Sequence, residues 1–192
     1  MLKKIFIIIG IIIIVLLGAL GYFYYQNSQK ESNLQYVQVE TGERILLPKT
    51  WTFTTGEEVN EVLNINSSNN VKPLFFASEQ KKNSSVFYYV IKEKLNGRLS
   101  EKDISTMLKK TVESENENNY EIKVIDTGLI NEGTTQNNKG QFIIYKMGNT
   151  YKFVSYFYGK EKELITLTAY LNEGTYEKYI PVIKYIALKN KY

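Results

Sequence analysis

The sequence has neither cysteine nor histidine. Without cysteine there is no disulfide and no thiol for lipid attachment, so packing alone must stabilise the fold, which a domain of about 160 residues can achieve. Without histidine there is no Ser-His-Asp or Cys-His centre, no histidine metal site and none of the commonest general base. Any reaction would depend on carboxylates, lysines, tyrosines or hydroxyl groups.

Aspartate is nearly absent too, since Asp103 and Asp126 are the only two. This excludes an EF-hand loop, which needs several acidic residues at fixed spacing. The glycines Gly140, Gly148 and Gly159 punctuate turns and do not form a phosphate-binding loop, and neither a Walker nor a dinucleotide motif is present. We therefore predict no cofactor and no metal site.

Two short patterns are similar to catalytic or metal sites, and both favour a plainer interpretation. Ser78 and Lys81 have the serine-x-x-lysine spacing of acyl-serine enzymes, but they follow a strand into a turn and lack the companion motifs. Glu113, Glu115 and Glu117 alternate at a helix end, where such residues do not face one another, so we expect a solvated acidic terminus. No catalytic residue is predicted, although a pair of glutamates that meet in the fold, as in a glycosidase, stays open.

Basic and acidic side chains are nearly balanced. The chain has 24 basic and 20 acidic residues, and removing Lys3 and Lys4 near the N-terminus leaves 22 basic against 20 acidic. Nucleic-acid binding usually needs a basic stripe rather than interspersed signs. We expect no nucleic-acid partner.

What the sequence does have is one long apolar run, residues 5–25, without a charged side chain. A helix of about 20 residues spans the roughly 30 Å hydrocarbon layer of a bilayer. Lys3 and Lys4 precede the run and Tyr24 and Tyr25 end it, a pattern that favours a cytoplasmic N-terminus and an external remainder. We expect a single-pass signal-anchor in the plasma membrane.

This interpretation divides the chain into a cytoplasmic N-terminus (1–4), a transmembrane helix (5–25), a polar tether (26–35) and an extracytoplasmic domain (36–192). A buried core helix is a poorer account, because a helix that is apolar on every side needs a partner of similar character. A cleavable signal peptide ending at Ala19-Leu20-Gly21 is the stronger alternative. The run is longer than a usual h-region of about 7–15 residues, which favours retention.

Alternating patterns and turn residues predict eight strands in the domain. They are residues 36–39, 45–47, 73–78, 86–92, 121–126, 141–147, 151–158 and 164–170. Short turns between neighbours indicate antiparallel pairing. In the later strands both alternating sets are bulky, which indicates a sheet covered on both faces.

Three helices are predicted, a brief one at 57–63, one after Ser100 and one after Thr175. Ser100 and Asp103 form a variant of the capping box. The apolar stripe that follows consists of Ile104, Met107, Leu108, Thr111 and Val112. The last helix contains Pro181, which predicts a kink or a fresh start there. We therefore expect an α+β fold, an antiparallel sheet of about six to seven strands with helices on both faces.

The order of these elements resembles the PsbP/Mog1-like α/β/α sandwich, including its membrane-attached bacterial versions. Its local motif is Leu47-Pro48-x-x-Trp51, which follows an apolar strand, and the likeness covers roughly residues 36–188. Where relatives tend to end the last helix with a serine-hydrophobic pair, this chain has Ala187-Leu188. Family members are generally interaction or assembly proteins rather than enzymes, and the resemblance implies that role without assigning it to any residue.

Tyrosines on the predicted strands suggest where a partner would bind. They are Tyr88, Tyr89, Tyr145, Tyr151, Tyr156, Tyr158 and Tyr170. Most are expected to pack in the core or across strands, and a partner surface is the alternative. We expect a non-catalytic binding or assembly-accessory protein of the bacterial cell envelope with a protein partner. A component of a secretion or conjugation apparatus, or a sensor of cell-wall ligands, is the alternative, and a hydrolase of envelope polymers is a further one.

Overall fold

The protein is described from a computed structural model. It describes Val15, Leu17 and residues 32–65, 70–79, 86–116, 121–131, 139–158 and 162–189. The predicted cytoplasmic N-terminus, most of the predicted transmembrane helix and most of the tether lie outside these residues. No helix formed by the described residues has the length and apolar character to cross a membrane. By its internal contacts the chain divides into two compact units, residues 1–35 and 36–192, and the second unit contains the sheet and helices discussed below.

The described elements are nine strands and three helices. The strands are β1 (Leu34–Gln38), β2 (Arg44–Pro48), β3 (Trp51–Thr55), β4 (Val71–Glu79), β5 (Phe87–Lys94), β6 (Ile122–Asn131), β7 (Lys139–Met147), β8 (Thr150–Tyr158) and β9 (Glu163–Asn172). The helices are α1 (Glu58–Leu63), α2 (Glu101–Asn116) and α3 (Tyr176–Lys189). The predicted α+β class is confirmed, and β3 is the strand that the sequence patterns missed.

One sheet organises the fold. Its seven strands follow the order β3-β4-β5-β9-β8-β7-β6, and every neighbouring pair is antiparallel. Strands β1 and β2 form a separate two-stranded sheet. The predicted six to seven antiparallel strands are therefore present, with β3 and β6 at the two edges.

Helices α2 and α3 cover opposite faces of this sheet. Ile143 of β7 and its register partner Val154 of β8 pack in one cluster with Ile104 of α2. Phe142, the residue before Ile143, meets α3 instead, because Lys184 Nζ lies 5.0 Å from the centre of its ring. Consecutive side chains of a strand point to opposite faces, so the predicted two-sided cover is confirmed.

The start of α2 has the predicted capping box. The Ser100 hydroxyl donates a hydrogen bond to Asp103 Oδ2 (2.6 Å), its backbone N–H donates to the same oxygen (2.8 Å), and the Asp103 N–H donates back to Ser100 Oγ (3.2 Å). These bonds lower the pKa of Asp103 below its usual value, the Ser100 hydroxyl contributing most. Ile104 and Leu108 are buried against the sheet one turn later.

Helix α3 and strand β2 close the other face. The Trp51 ring is buried, with its centre 5.9 Å from Tyr88 and 5.4 Å from Tyr179 of α3. The Tyr88 hydroxyl donates to the backbone oxygen of Leu46 on β2 (2.6 Å). Helix α3 starts at Tyr176, directly after Thr175, and continues through the exposed Pro181, so a fresh start at the proline was wrong.

Candidate binding face

Four aromatic side chains form a continuous row on the α2 face of the sheet. The ring centres of Phe76 and Phe87 are 5.6 Å apart, those of Phe87 and Tyr170 are 4.7 Å apart, and those of Tyr89 and Tyr170 are 6.4 Å apart. All three pairs are stacked, and each of the four side chains is half-buried. We call Phe76, Phe87, Tyr89 and Tyr170 the aromatic row.

Strand register places the aromatic row. Phe76 lies opposite Tyr89, and Phe87 lies opposite Tyr170. Tyr170 in turn lies opposite Lys152, two residues from Val154, so the row shares the face that α2 packs on. Helix α2 itself contacts β6, β7 and β8, whereas the row lies on β4, β5 and β9. The row therefore occupies the half of this face that lies beside the helix.

A buried lysine lies at the end of the aromatic row. Lys152 Nζ lies 5.1 Å from the ring centre of Tyr170 and 5.9 Å from that of Tyr145, and it donates to Glu115 Oε1 on α2 (2.5 Å). Burial disfavours its charge, but the hydrogen bonds with Glu115 and Tyr170 outweigh burial and raise the pKa of Lys152. The side chain is therefore a permanent cation near neutral pH.

The phenols of Tyr145 and Tyr89 are neutral near physiological pH. Burial raises the pKa of Tyr145 to about 12, although the charge of Lys152 opposes the rise. Burial, reinforced by Tyr170, likewise raises the pKa of Tyr89 to about 12. The Tyr145 hydroxyl is buried and has no hydrogen-bond partner among the described residues. The surroundings of Lys152 thus combine aromatic rings, neutral hydroxyl groups and one compensated charge.

The tyrosines singled out from the sequence separate into distinct roles. Only Tyr89 and Tyr170 belong to the aromatic row. Tyr88 and Tyr145 are fully buried, Tyr151 stacks on Tyr176 with ring centres 3.9 Å apart, and the Tyr156 hydroxyl lies 2.9 Å from Thr111 Oγ1. The side chain of Tyr158 lies outside the described residues. Core and cross-strand packing therefore accounts for most of the described ones, as expected.

Sequence reasoning missed the two phenylalanines of the aromatic row. Phe76 and Phe87 belong to strands that were predicted, and their alternation with Ala77 and Tyr88 assigns them to the face opposite the Tyr88 side. That signal was present in the sequence. The alternation did not show which strand pairs with β5, because β9 lies next to β5 in the sheet but some seventy residues later in the chain.

The weaker catalytic and metal patterns have structural roles where the structure describes them. Ser78 Oγ lies 3.4 Å from Thr52 Oγ1, and Lys81 lies outside the described residues. Glu113 is exposed, but Glu115 binds Lys152, so a wholly solvated acidic terminus was wrong at that position. Glu117 lies outside the described residues. Within the described ranges no three acidic side chains cluster as metal ligands would.

Two glutamates bind the same lysine, and the sequence had left open whether any pair of glutamates comes together. Glu43 Oε1 and Glu163 Oε2 both contact Lys92 Nζ, at 2.9 and 2.8 Å. Burial would raise the pKa of Glu43, but hydrogen bonds from Thr41 and Lys92 outweigh it and lower the pKa. A glycosidase needs one carboxylic acid with a raised pKa, so this ion triad suits a structural role better than acid catalysis.

Comparison with known proteins supports the architecture. No protein-family model matches the chain, and a search of curated proteins found no similar sequence. The solution structure of cyanobacterial PsbP (CyanoP) from Synechocystis sp. PCC 6803 superimposes with a TM-score of 0.59 at 13% identity, covering 83% of this chain and 93% of that one. At this identity the likeness concerns the fold alone. The chain has a PsbP-like fold, as the order of its elements predicted.

Proposed function

We propose that the protein is a non-catalytic, membrane-anchored binding or assembly-accessory protein of the bacterial cell envelope, and that the aromatic row contacts its protein partner. The N-terminal apolar run would hold the domain at the outer surface of the plasma membrane. The domain would then act by binding another protein rather than by catalysing a reaction.

The aromatic row is the observation that carries this proposal. The cores of protein interfaces are rich in aromatic side chains and poor in charge. The row presents four half-buried rings in mutual contact, and the nearest charge, Lys152, is already compensated by Glu115. A partner that covers the row would bury aromatic surface without stripping water from an unpaired ion.

The row is also preorganised. Phe87 stacks between Phe76 and Tyr170, so its ring is held by neighbours on both sides. Side chains held in this way lose little rotamer freedom when a partner arrives, which favours affinity. A row built for the core alone would be expected to be buried more completely.

A photo-crosslinking amino acid placed in the full chain tests the proposal in intact cells. The photoreactive phenylalanine replaces Phe87 in one variant and Val62 in a control, since Val62 is an apolar residue on α1 that is 51% exposed. We expect one discrete adduct with an envelope protein from position 87 and none from position 62. Adding Tyr170→Ala to the Phe87 variant should weaken or abolish that adduct.

Two results would count against the proposal. Adducts of equal yield from positions 62 and 87 would indicate random collision, and a row that never crosslinks in cells would indicate a packing role only. Folding of each variant is checked by circular dichroism, because a collapsed sheet would also lose the adduct.

A further inference from the structure

A second surface lies at the far edge of the sheet from the aromatic row. Strand β6 is the last strand in the order β3-β4-β5-β9-β8-β7-β6, and among the described strands it pairs with β7 alone. A strand in this position turns half of its backbone N–H and C=O groups outward, where another strand can pair with them. The opposite edge, β3, has five residues, whereas β6 has ten.

Strand β6 is also unusually apolar on its exposed side. Nine large apolar side chains are exposed in the part of the chain that the structure describes, and three of them belong to β6. They are Val124 at 48%, Ile125 at 38% and Leu129 at 60%. A long edge strand that exposes apolar side chains is a site for strand addition or aggregation unless a partner covers it.

A cleft runs beside the second half of β6. Its volume is about 260 Å³, and it is lined by Ser105, Leu108 and Lys109 of α2, by Leu129 of β6 and by Gln141 and Ile143 of β7, with others. The Gln141 side chain is fixed, because its Oε1 accepts from the Ser105 hydroxyl (2.7 Å) and its Nε2 donates to the Glu101 backbone oxygen (3.0 Å). The cleft is therefore a formed, mainly apolar groove bordered by the edge strand.

The cleft is lined by one exposed lysine, Lys109. Lys109 is exposed and forms no ion pair with any residue in the described ranges. Lys184, which reaches β6 from α3, is already paired with Asp126 (2.6 Å). A carboxylate on an incoming segment would therefore find its complement at Lys109.

A β-bulge in β6 favours another polypeptide, rather than a second copy of this chain, as the partner that pairs with this edge. The register of β6 on β7 shifts between Val124 and Asp126, so the bulge divides the ladder, and its longer regular part is residues 126–131. If two copies paired about a two-fold axis along the whole strand, each bulge would face the regular part of the other copy. Pairing confined to the regular part would instead set two clefts with the same Lys109 charge side by side.

We propose that β6 and the α2 cleft bind a short extended segment of another protein. The segment adds to the sheet as an eighth strand along residues 126–131 through main-chain hydrogen bonds. One of its apolar side chains lies in the cleft beside Leu129, and a carboxylate two residues away on the same face pairs with Lys109. This inference is independent of the aromatic row, which lies on β4, β5 and β9.

The test uses the full chain in detergent solution and fluorescent hexapeptides as probes. The first probe, Thr-Val-Thr-Glu-Thr-Val, has valine and glutamate on one face; the second has lysine in place of glutamate, and the third has N-methyl groups on alternate backbone amides. We expect the first to bind, and the second and third to bind about tenfold more weakly or worse, because each lacks one recognition feature. Binding is measured by fluorescence anisotropy.

Three variants test where on the protein the peptide binds. Leu129→Lys should weaken binding of the first peptide about tenfold, whereas Val62→Lys, a matched change at another exposed apolar residue, should leave it unchanged. Lys109→Glu should weaken the glutamate peptide and strengthen the lysine peptide. Hydrogen exchange should show slower exchange for amides of β6, and not of β3, when the first peptide is bound.

The proposal is overturned by any of three results. They are failure of all three peptides to bind, binding that Leu129→Lys and N-methylation leave unchanged, and a dimer of the free full chain that Leu129→Lys dissociates. The dimer would assign the edge to a second copy. None of these outcomes bears on crosslinking at Phe87, so this inference and the proposed function fail separately.

Discussion

Lys152 Nζ lies 2.5 Å from Glu115 Oε1, and this bond joins the last turn of α2 to the first part of β8. The Lys152 side chain is 9% exposed and that of Glu115 is 25% exposed, so water screens the pair poorly. The bond holds the C-terminal end of α2 against the sheet next to the aromatic row. Removing the carboxylate would leave a buried cation without its partner.

Replacing Glu115 with alanine should therefore destabilise the protein. We expect Glu115→Ala to lower the free energy of unfolding by about 1–3 kcal/mol, since an unpaired buried charge is costly. Glu113→Ala, which removes an exposed glutamate from the same turn, should change it by less than about 0.5 kcal/mol. Urea unfolding of the purified variants measures both. Equal effects at the two positions would show that the ion pair contributes nothing specific.

The buried tyrosines Tyr88 and Tyr145 should respond differently to loss of the hydroxyl group. Tyr88→Phe removes the hydrogen bond to Leu46 and should lower the free energy of unfolding by about 1 kcal/mol. Tyr145→Phe removes a buried hydroxyl that has no partner among the described residues, so it should be neutral or slightly stabilising. Thermal unfolding of the two variants tests the contrast. A larger loss from Tyr145→Phe would mean that its hydroxyl has a partner after all.

The Glu43 carboxylate should make stability depend on acid pH. Its pKa in the folded protein lies below the ordinary value of 4.5, so the stability it contributes is complete above 4.5 and is lost as the pH falls through the folded-state pKa. Glu43→Gln should therefore lower the free energy of unfolding by about 1 kcal/mol at pH 7, and the gap to the native protein should narrow below pH 4.5.

Denaturant unfolding at several pH values measures the difference in free energy of unfolding between the native protein and Glu43→Gln. Glu113→Gln is the control for an exposed glutamate. A difference that stays constant from pH 7 to below pH 4.5 would mean that the Glu43 contact with Lys92 does not depend on charge. In that case the side chain stabilises the protein only through packing.

The absence of cysteine makes membrane topology directly testable. A single cysteine at Thr106, an exposed position on α2, should react with a membrane-impermeant maleimide in intact cells. Lys4→Cys should react only after the cells are permeabilised, because the N-terminus is expected in the cytoplasm. Labelling of both positions in intact cells, or of neither, would contradict the predicted orientation. Release of mature protein that begins near Gly21 would favour the cleaved signal peptide.

Local features could be predicted from the sequence because the residues that cause them lie within a few positions of one another. The Ser100 capping box joins residues three apart, and the stripe from Ile104 to Val112 follows from the helical repeat. The tight turn at Gly148 likewise depends on a single residue with positive φ. Strand β3 was missed because it begins shortly after the proline that ends β2, and its pairing partner β4 lies some twenty residues later in the chain.

The candidate surfaces needed more than local pattern. Phe87 and Tyr170 stack only because β5 pairs with β9, and the sequence contains no rule that selects this pairing over others. Glu115 was expected to be solvated because the partner that binds it, Lys152, lies on a strand three elements further along the chain. The edge position of β6 likewise follows from the order of all seven strands.

Composition, periodicity and caps were enough to establish an α+β domain with antiparallel strands and helices on both faces, because these properties arise from short-range geometry and from which side chains avoid water. Which aromatic rings meet, which glutamate holds Lys152 and which strand is left at the edge depend on contacts between distant parts of the chain. Those contacts form only when the sheet assembles, since register and strand order are set by packing of the whole core.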